Sequence, residues 1–166
     1  MNGGAERLNS YGLPVSAGDE INGFYRMGDA ARKIGRRVRF EGRLSDLVNR
    51  GGEKISCQEV ENHILAHGSV RAACVVAMPD AVYGEKACAF VVPQPDATPT
   101  FEELGAFLGS RGIARFKLPE RLEIVAGFPL SPAGKILRRE LRRMIGEKIA
   151  AENAARESLA RTEPGP

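Results

Sequence analysis

Two short apolar runs constrain the fold of this chain more than any other feature. Residues 72–78 read Ala-Ala-Cys-Val-Val-Ala-Met and end at Pro79, and residues 86–92 read Lys-Ala-Cys-Ala-Phe-Val-Val and end at Pro93. Runs of this length, bounded by proline, are typical of strands that are covered by protein on at least one face. Residues 122–125 give a third strand, so the sequence predicts a small three-stranded sheet.

Three segments have the apolar periodicity of helices that pack on such a sheet. Ser56 and Glu59 have the spacing of a capping box, which predicts a first helix with Glu61 facing water. A second helix is expected after the N-cap Thr100, and a third over residues 135–145, with a tail that extends it and frays at its end. This alternation predicts an α+β fold, a small three-stranded sheet with packed helices, preceded by a two-stranded hinge hairpin.

Composition limits the classes of function. The 166 residues are 43% apolar and 27% charged, and no apolar run is long enough to span a bilayer. Residues 1–16 lack the apolar segment of a secretory signal, so we expect a cytoplasmic protein. A net charge of +3 with no Trp and 6% aromatic residues does not favour nucleic acid as a partner. Three cysteines without metal-like spacing are expected to be buried, reduced thiols.

Residues 42–56 have the composition of a hinge with an open edge. Arg43 and Asp46 flank a place where few apolar side chains hold the backbone, and the Gly-Gly pair that follows lets another molecule approach the main chain closely. Residues 37–41 alternate charged and apolar side chains as a half-buried strand does, after a tight turn at residues 34–36. We therefore expect a hairpin followed by a joint.

Lys135 is the first candidate for chemistry. It follows Ser-Pro-Ala-Gly, so a flexible loop presents one ammonium at the predicted start of a helix, where the helix dipole disfavours a cation. Such an ammonium suits the neutralisation of charge that develops on a phosphoryl or carboxylate oxygen. The spacing by itself is more often that of an ordinary solvated lysine.

Two further side chains could contact a nucleotide. Asp29 follows a glycine at a strand end, where its carboxylate could accept from ribose hydroxyls, although Gly-Asp is also a common turn pair. Arg43 could hold a phosphate, or pair with an acid as most arginines near turns do. Residues 49–52 lack the Lys-Ser/Thr of a P-loop. His63 and His67 lie four apart without a third ligand, so no metal site is expected.

Six motifs follow one another in order between residues 23 and 145. They read YRMGD at 25–29, GRLSD at 42–46, NRGGEKI at 49–55 with EVEN at 59–62, MPD at 78–80 with GEK at 84–86, KLP at 117–119 and SPAGK at 131–135. Together they resemble the C-terminal part of the adenylate-forming acyl/aryl acid ligases, the AMP-binding enzymes. The NRGGEKI wording is most similar to that of the aryl-acid AMP ligases.

The resemblance implies a two-step reaction. A carboxylate attacks ATP to give an acyl-adenylate and pyrophosphate, and a pantetheine thiol then displaces AMP. By that similarity Lys135 bridges the carboxylate and the α-phosphate, Asp29 holds the ribose hydroxyls and Arg43 contacts the nucleotide. Asp46 would be the pivot about which the small domain rotates between the two steps, in agreement with the hinge indicated by the residues themselves.

The similarity also implies the partners of the domain. Gly51, Gly52 and Glu53 would line the tunnel of the thiol, and Arg50 and Lys54 would contact an aryl carrier protein or CoA. ATP and Mg²⁺ would be bound mainly by an N-terminal adenylation domain. The implied acid is 2,3-dihydroxybenzoate or salicylate, as in siderophore biosynthesis, and a non-aryl acid of an acyl-CoA synthetase is the alternative.

Two positions depart from the family pattern, because Met27 stands where Thr or Ser is usual and Ser45 where Lys is usual. The implied boundaries are an unassigned, poorly ordered segment at 1–22, the distal edge of the large domain at 23–42, the lid at 43–146 and a tail at 147–166.

The large domain itself is not found upstream of residue 23, so the resemblance covers the small C-terminal domain, the lid, without the large domain. A fragment, a truncated gene product and half of a split enzyme all fit that description. Two other functions stay open from the sequence: a non-catalytic module whose basic helix and Gly-Gly edge bind an acidic carrier protein, and an inert gene remnant.

Overall fold

The computed structural model describes strands between residues 20 and 43, at 20–21, 24–25, 29–34 and 37–43, and then residues 46–162, with side chains described over 46–159. The chain divides into two compact units, Met1–Ser45 and Asp46–Pro166, which are described separately below.

The first unit contains two antiparallel strand pairs. β1 (Glu20–Ile21) pairs with β2 (Phe24–Tyr25), and β3 (Asp29–Ile34) pairs with β4 (Arg37–Arg43). Ile34 is the register partner of Arg37. The hairpin predicted before the joint is therefore confirmed.

The second unit is built on one five-stranded sheet. Its strands are β5 (Leu47–Arg50), β6 (Glu53–Ser56), β7 (Val70–Asp80), β8 (Gly84–Pro93) and β9 (Arg121–Ile124). The order β6-β5-β8-β7 is antiparallel, and β9 pairs in parallel with the middle of β8. The α+β class and the three predicted strands are confirmed, but the predicted sheet was too small because the β5–β6 hairpin also joins it.

The first two helices begin where their caps predict. α1 (Cys57–Ile64) starts after Ser56, whose Oγ accepts from the Glu59 amide at 3.3 Å. α2 (Phe101–Ser110) starts after Thr100, which forms a complete capping box with Glu103. Each cap satisfies amide donors that the first helical turn leaves without a partner.

The third helix differs from the prediction at its start. α3 (Arg138–Thr162) has 25 residues and begins at Arg138 rather than at Lys135, because the preceding residues form a tight loop. It runs unbroken into the segment expected as a tail. Its middle is held to β9, since Arg121 donates from Nη2 and Nη1 to the two Glu152 oxygens at 2.6 and 2.8 Å, and Lys148 Nζ donates to Glu123 at 2.7 Å.

Both faces of the sheet are covered, which explains why β7 and β8 read as unbroken apolar runs. Val75 belongs to a buried cluster that includes Val60 of α1 and Leu108 of α2. Its neighbour Val76 points to the opposite face, in a second cluster that includes Leu141 of α3. Helices α1 and α2 therefore cover one face and α3 covers the other.

The three cysteines are buried and free, as predicted. Burial raises the pKa of Cys57, Cys74 and Cys88 from an ordinary 9.0 to about 12, so all three are inert neutral thiols at pH 7. Among the described helices, none is long and apolar enough to cross a membrane.

Candidate functional site

Lys135 lies on a short loop whose backbone is closed by hydrogen bonds. Leu130 and Ile136 form an isolated antiparallel bridge at its base. Ser131 organises the tip: its amide donates to the Lys135 carbonyl oxygen at 2.8 Å, and its Oγ accepts from the Lys135 amide at 3.1 Å. Gly134 takes a φ of +74°, which a residue with a Cβ adopts only with strain. The Ser-Pro-Ala-Gly sequence therefore makes a defined turn.

The Lys135 side chain is exposed. Within residues 46–159, no carboxylate forms an ion pair with its Nζ. Because α3 begins at Arg138, Lys135 precedes the helix and is not part of its first turn. A loop closed by hydrogen bonds thus carries an exposed ammonium that has no ion-pair partner among residues 46–159.

Arg138, the first residue of α3, binds Glu61 of α1. Its Nη1 donates to Glu61 Oε1 at 2.6 Å and its Nη2 to Oε2 at 2.9 Å. Glu61 is only 4% exposed, so the prediction that it faces water was wrong. The signal lay in its spacing, since Cys57, Glu61 and Ile64 at i, i+4 and i+7 share one face of α1.

The Arg138–Glu61 pair also occupies the open edge of the sheet. β7 is an edge strand, and its Val75 has an amide and a carbonyl without a neighbouring strand. Glu61 Oε1 accepts from the Val75 amide at 2.6 Å, and Arg138 Nη1 donates to the Val75 carbonyl oxygen at 2.8 Å. The ion pair therefore supplies the donor and the acceptor that a further strand would provide.

Asp46, the predicted hinge residue, immediately precedes β5 and lies outside the three α-helices. Its Oδ1 is 3.6 Å from Arg138 Nε, and its side chain is 34% exposed. One guanidinium thus lies between the buried carboxylate of Glu61 and the partly exposed carboxylate of Asp46.

Gly51 and Gly52 form the two-residue turn between β5 and β6, with φ of +56° and +99°. Positive φ at both central residues is the geometry of a tight hairpin turn. The Gly51 amide donates to the Tyr83 carbonyl oxygen at 2.9 Å, and a Cβ on Gly51 would lie 3.0 Å from Tyr83 Cδ1. A Cβ on Gly52 would meet nothing within 4 Å. The turn is held from one side and open on the other.

Arg50, predicted to contact a carrier protein or CoA, is engaged within the domain. Its Nη2 and Nε donate to Glu120 Oε1 at 2.8 and 3.2 Å, and its guanidinium lies 3.9 Å from the centre of the Tyr83 ring. The hydrogen bond to Glu120 is the main cause that raises the pKa of Arg50. Glu53 and Lys54 are exposed, and neither forms an ion pair with another residue of 46–159.

The two predicted nucleotide contacts lie in the first unit. Asp29 and Arg43 are register partners at the open end of the β3–β4 hairpin. Their backbones are therefore side by side. Met27 and Ser45, the two departures from the family pattern, lie outside the described residues, as does the segment 1–19.

The two histidines make ordinary contacts. His63 Nδ1 accepts from Arg111 Nε at 3.1 Å, and His67 Nδ1 accepts from the Ser69 amide at 3.3 Å. The His67 ring also packs edge-on against Phe107, with 4.8 Å between ring centres. In the part of the chain that the structure describes, no group of three or more His, Cys, Asp or Glu side chains could hold a metal ion.

Two curated proteins are similar in sequence to most of this chain. The chain is 48% identical over 132 residues to the 2,3-dihydroxybenzoate-AMP ligase of Bacillus subtilis, an alignment that covers 78% of this chain and 24% of that protein. It is 45% identical over 131 residues to pyochelin synthase PchD of Pseudomonas aeruginosa, with coverage of 78% and 24%. The chain thus spans about a quarter of the length of these curated relatives.

A solved structure and a family model also match this chain. The crystal structure of ATP-bound MatB from Rhodopseudomonas palustris superposes with a TM-score of 0.67 at 29% identity, covering 76% of this chain and 25% of that one. Residues 59–135, which reach from α1 to the exposed lysine, match the model of the AMP-binding enzyme C-terminal domain. The chain therefore belongs to the AMP-binding enzyme C-terminal domain family.

Proposed function

We propose that this chain is the lid of an ATP-dependent acid–thiol ligase, which forms an acyl-adenylate from a carboxylate and ATP and then transfers the acyl group to a pantetheine thiol. The observation that carries the proposal is the state of Lys135: exposed, on a hydrogen-bonded loop, at the end of the family match and outside any ion pair with residues 46–159.

The proposed role of Lys135 is electrostatic. When the carboxylate oxygen attacks the α-phosphorus, negative charge develops on the phosphoryl oxygens while pyrophosphate leaves. An ammonium placed against those oxygens stabilises that charge, and it does so most strongly where water is excluded. A fixed loop backbone lowers the cost of placing the ammonium, because only the side chain needs to be ordered.

For the second step we propose that the lid turns about Asp46 and presents the Gly51–Gly52 turn to the reacting centre. Gly52 has open space where a side chain would be, which suits a surface along which a pantetheine arm passes. The hydrogen bond from Gly51 to Tyr83 holds this surface in place. Glu53 would lie at its margin.

Asp29 and Arg43 are proposed to contact the ribose and the phosphate of ATP. Their register pairing on one hairpin supports this, since it places a carboxylate-bearing and a guanidinium-bearing residue at adjacent backbone positions. We assign residues 43–146 to the lid and 23–42 to the distal edge of the large domain, and the division of the chain between Ser45 and Asp46 supports a boundary close to that position.

The proposed acid is 2,3-dihydroxybenzoate or salicylate, as in siderophore biosynthesis. The support is the 48% identity to a 2,3-dihydroxybenzoate-AMP ligase. The side chains that select the acid, and those that hold Mg²⁺ with ATP, are proposed to belong to the large domain, as the resemblance to the AMP-binding enzymes implies. For the carrier protein or CoA, Lys54 is the more available of the two predicted cations, because Arg50 binds Glu120 and Tyr83.

The test combines this chain with a separately expressed large domain of the Bacillus subtilis relative. ATP–pyrophosphate exchange is measured with 2,3-dihydroxybenzoate, salicylate and a medium-chain fatty acid, and thioester formation on a pantetheinylated carrier protein and on CoA is followed by mass spectrometry. We expect exchange with an aryl acid that is lost in Lys135→Ala and kept in Arg139→Ala, an exposed cation close by. Carrier binding without exchange in the complemented mixture would contradict the proposal and favour a binding module.

A further inference from the structure

The guanidinium of Arg138 is shared among acceptors from three separate parts of the domain. It binds both Glu61 oxygens on α1 at 2.6 and 2.9 Å and the Val75 carbonyl oxygen on β7 at 2.8 Å. Its Nε lies 3.6 Å from Asp46 Oδ1, at the start of β5. The three shorter contacts fix the side chain, and the longest reaches the predicted hinge.

The backbone at Arg138 is also hydrogen-bonded to the loop that carries Lys135. The Arg138 amide donates to the Ile136 carbonyl oxygen at 3.1 Å, and the Leu137 amide donates to Pro129 at 2.8 Å, which closes the base of the loop. Lys135 precedes Arg138 by three positions and its own amide donates to Ser131 Oγ. Any displacement of Arg138 therefore moves the base of the loop that carries Lys135.

We propose that Arg138 is a positioning residue that couples the hinge carboxylate of Asp46 to the loop of Lys135. Its catalytic consequence rests on the function proposed above. The pair Asp46–Arg138 is the contact that changes most easily, because it is the longest and Asp46 is partly exposed, whereas Glu61 is buried and bound by two hydrogen bonds. A rotation at Asp46 changes the distance between its carboxylate and the Arg138 guanidinium. The resulting shift of Arg138 displaces the loop that carries Lys135.

A purely structural role for Arg138 makes a different prediction. If Arg138 only joined α1, β7 and α3, the contacts to Glu61 and Val75 would suffice, and removing the charge of Asp46 would leave the Lys135 loop unchanged. If Arg138 couples the two places, removing that charge loosens the loop through Arg138, the ion-pair partner of Asp46, and does so only while Arg138 is present. The two roles are therefore separable in the chain alone, without ligand.

The experiment is amide hydrogen exchange on the 166-residue chain, in wild type, Asp46→Asn, Arg138→Lys and the double variant. The readout is the exchange of the Gly134, Lys135 and Leu137 amides. We expect Asp46→Asn to speed it about threefold, as for loss of a partly exposed ion pair. In the Arg138→Lys background the same change should add nothing, because a single ammonium bound to Glu61 cannot also reach Asp46.

The matched control is Glu152→Gln. It breaks the ion pair between Glu152 of α3 and Arg121 of β9, which also has two hydrogen bonds and lies far along the helix from Arg138. It should leave the loop amides unchanged. Equal loop exchange in wild type and Asp46→Asn would overturn the proposal, and so would an effect of Glu152→Gln as large as that of Asp46→Asn. If Arg138→Lys does not fold, Asp46→Glu decides instead, because a carboxylate at that position should restore the slow exchange of the loop.

The catalytic consequence is measured separately in the complemented enzyme. Arg138→Lys should lower kcat for pyrophosphate exchange by about tenfold to a hundredfold, as expected for a misplaced catalytic group, while KM for ATP stays within about twofold. If Lys135→Ala leaves ATP–pyrophosphate exchange intact, the proposed function fails. Amide hydrogen exchange of the loop still decides whether the coupling exists. If Lys135→Ala abolishes activity and Arg138→Lys raises KM with kcat unchanged, the positioning role is wrong.

Discussion

Arg138 Nη1 lies 2.6 Å from Glu61 Oε1 and 2.8 Å from the Val75 carbonyl oxygen, so one nitrogen closes both a buried ion pair and the edge of a sheet. Glu61 in turn accepts from the Val75 amide. The three groups satisfy one another, and removal of any one leaves buried polar atoms without partners.

Loss of Arg138 should be among the most destabilising single changes in the domain. Arg138→Ala leaves the Glu61 side chain 4% exposed and without its cationic partner, which costs about 3–5 kcal/mol of the free energy of unfolding. Urea denaturation followed by circular dichroism measures it. Arg143→Ala is the control, because Arg143 pairs with Glu140 and Glu147 on the exposed side of the same helix and its loss should not be measurable. Equal stability of the two variants would contradict the role of the buried pair.

The Gly51–Gly52 turn should distinguish strain from packing. Alanine at either position is strained by about 1–2 kcal/mol because φ is positive, but only at Gly51 does the new Cβ meet Tyr83, at 3.0 Å. We therefore expect the effects of Gly51→Ala and Tyr83→Ala on unfolding free energy to be non-additive, and those of Gly52→Ala and Tyr83→Ala to add. Additivity in both pairs would show that the Tyr83 ring does not restrain the turn.

A larger side chain at Gly52 should separate the two proposed half-reactions. Gly52→Leu projects into open space on the surface along which the thiol is proposed to pass. Thioester formation in the complemented enzyme should fall at least tenfold, as for blocked access, while ATP–pyrophosphate exchange changes less than about twofold. A parallel fall in both rates would indicate that the turn acts on the first step or that the lid is damaged.

Lys135→Ala should affect catalysis without affecting stability. The side chain is exposed and forms no ion pair with residues 46–159, so the melting temperature should stay within about 1 °C. Pyrophosphate exchange should fall by about 100- to 1,000-fold, as for loss of one group that stabilises developing charge. A large fall in melting temperature would show that the lysine has a structural partner.

The buried thiols should make the domain less stable in alkaline solution. The pKa of Cys57, Cys74 and Cys88 is raised to about 12 in the folded chain, so between pH 9 and 12 the unfolded chain loses thiol protons that the folded chain keeps. The stability that the neutral thiols contribute is complete below pH 9 and declines above it. Denaturation from pH 8 to 11 should show this decline, and it should be smaller in Cys88→Ala. A thiol reagent should label all three only after unfolding.

The C-terminal half of α3 should loosen in acid. The hydrogen bond from Arg121 is the main cause that lowers the pKa of Glu152, so the stability contributed by this carboxylate is present above its ordinary value of 4.5 and is lost as the pH falls below it. Amide exchange in residues 146–159 should therefore rise below about pH 4.5 relative to exchange in β8. Glu152→Gln should show faster exchange already at neutral pH and a smaller further increase in acid than wild type, because the ion pair between Glu123 and Lys148 still titrates.

The central fold was predictable because its residues act locally. The apolar runs of β7 and β8 are buried on both faces, and Ser56 and Thr100 cap helices within three residues of themselves. The β5–β6 strands were undercounted because most of their side chains are polar, and only Val48 and Ile55 are fully buried. Their membership of the sheet depends on pairing with a distant strand.

The candidate site was only partly predictable. The order of motifs indicated Lys135, but the helix start was misplaced, since residues 135–137 continue a helical pattern while hydrogen bonds to Ser131 and Pro129 hold them in a loop. Glu61 was placed in water because an isolated glutamate usually is. Its partner Arg138 is 77 positions away, and no local sequence pattern reveals a pair at that separation.

The hydrogen bonds of Glu61 and Arg138 to Val75, at the edge of β7, have a consequence during synthesis of the chain. Glu61 and Val75 are synthesised before Arg138, so in a nascent chain the Val75 amide can already bind Glu61 while the Val75 carbonyl oxygen lacks its partner. Until α3 emerges, that position of β7 is open to pairing with a strand of another copy, so synthesis of α3 removes one site of edge-to-edge association.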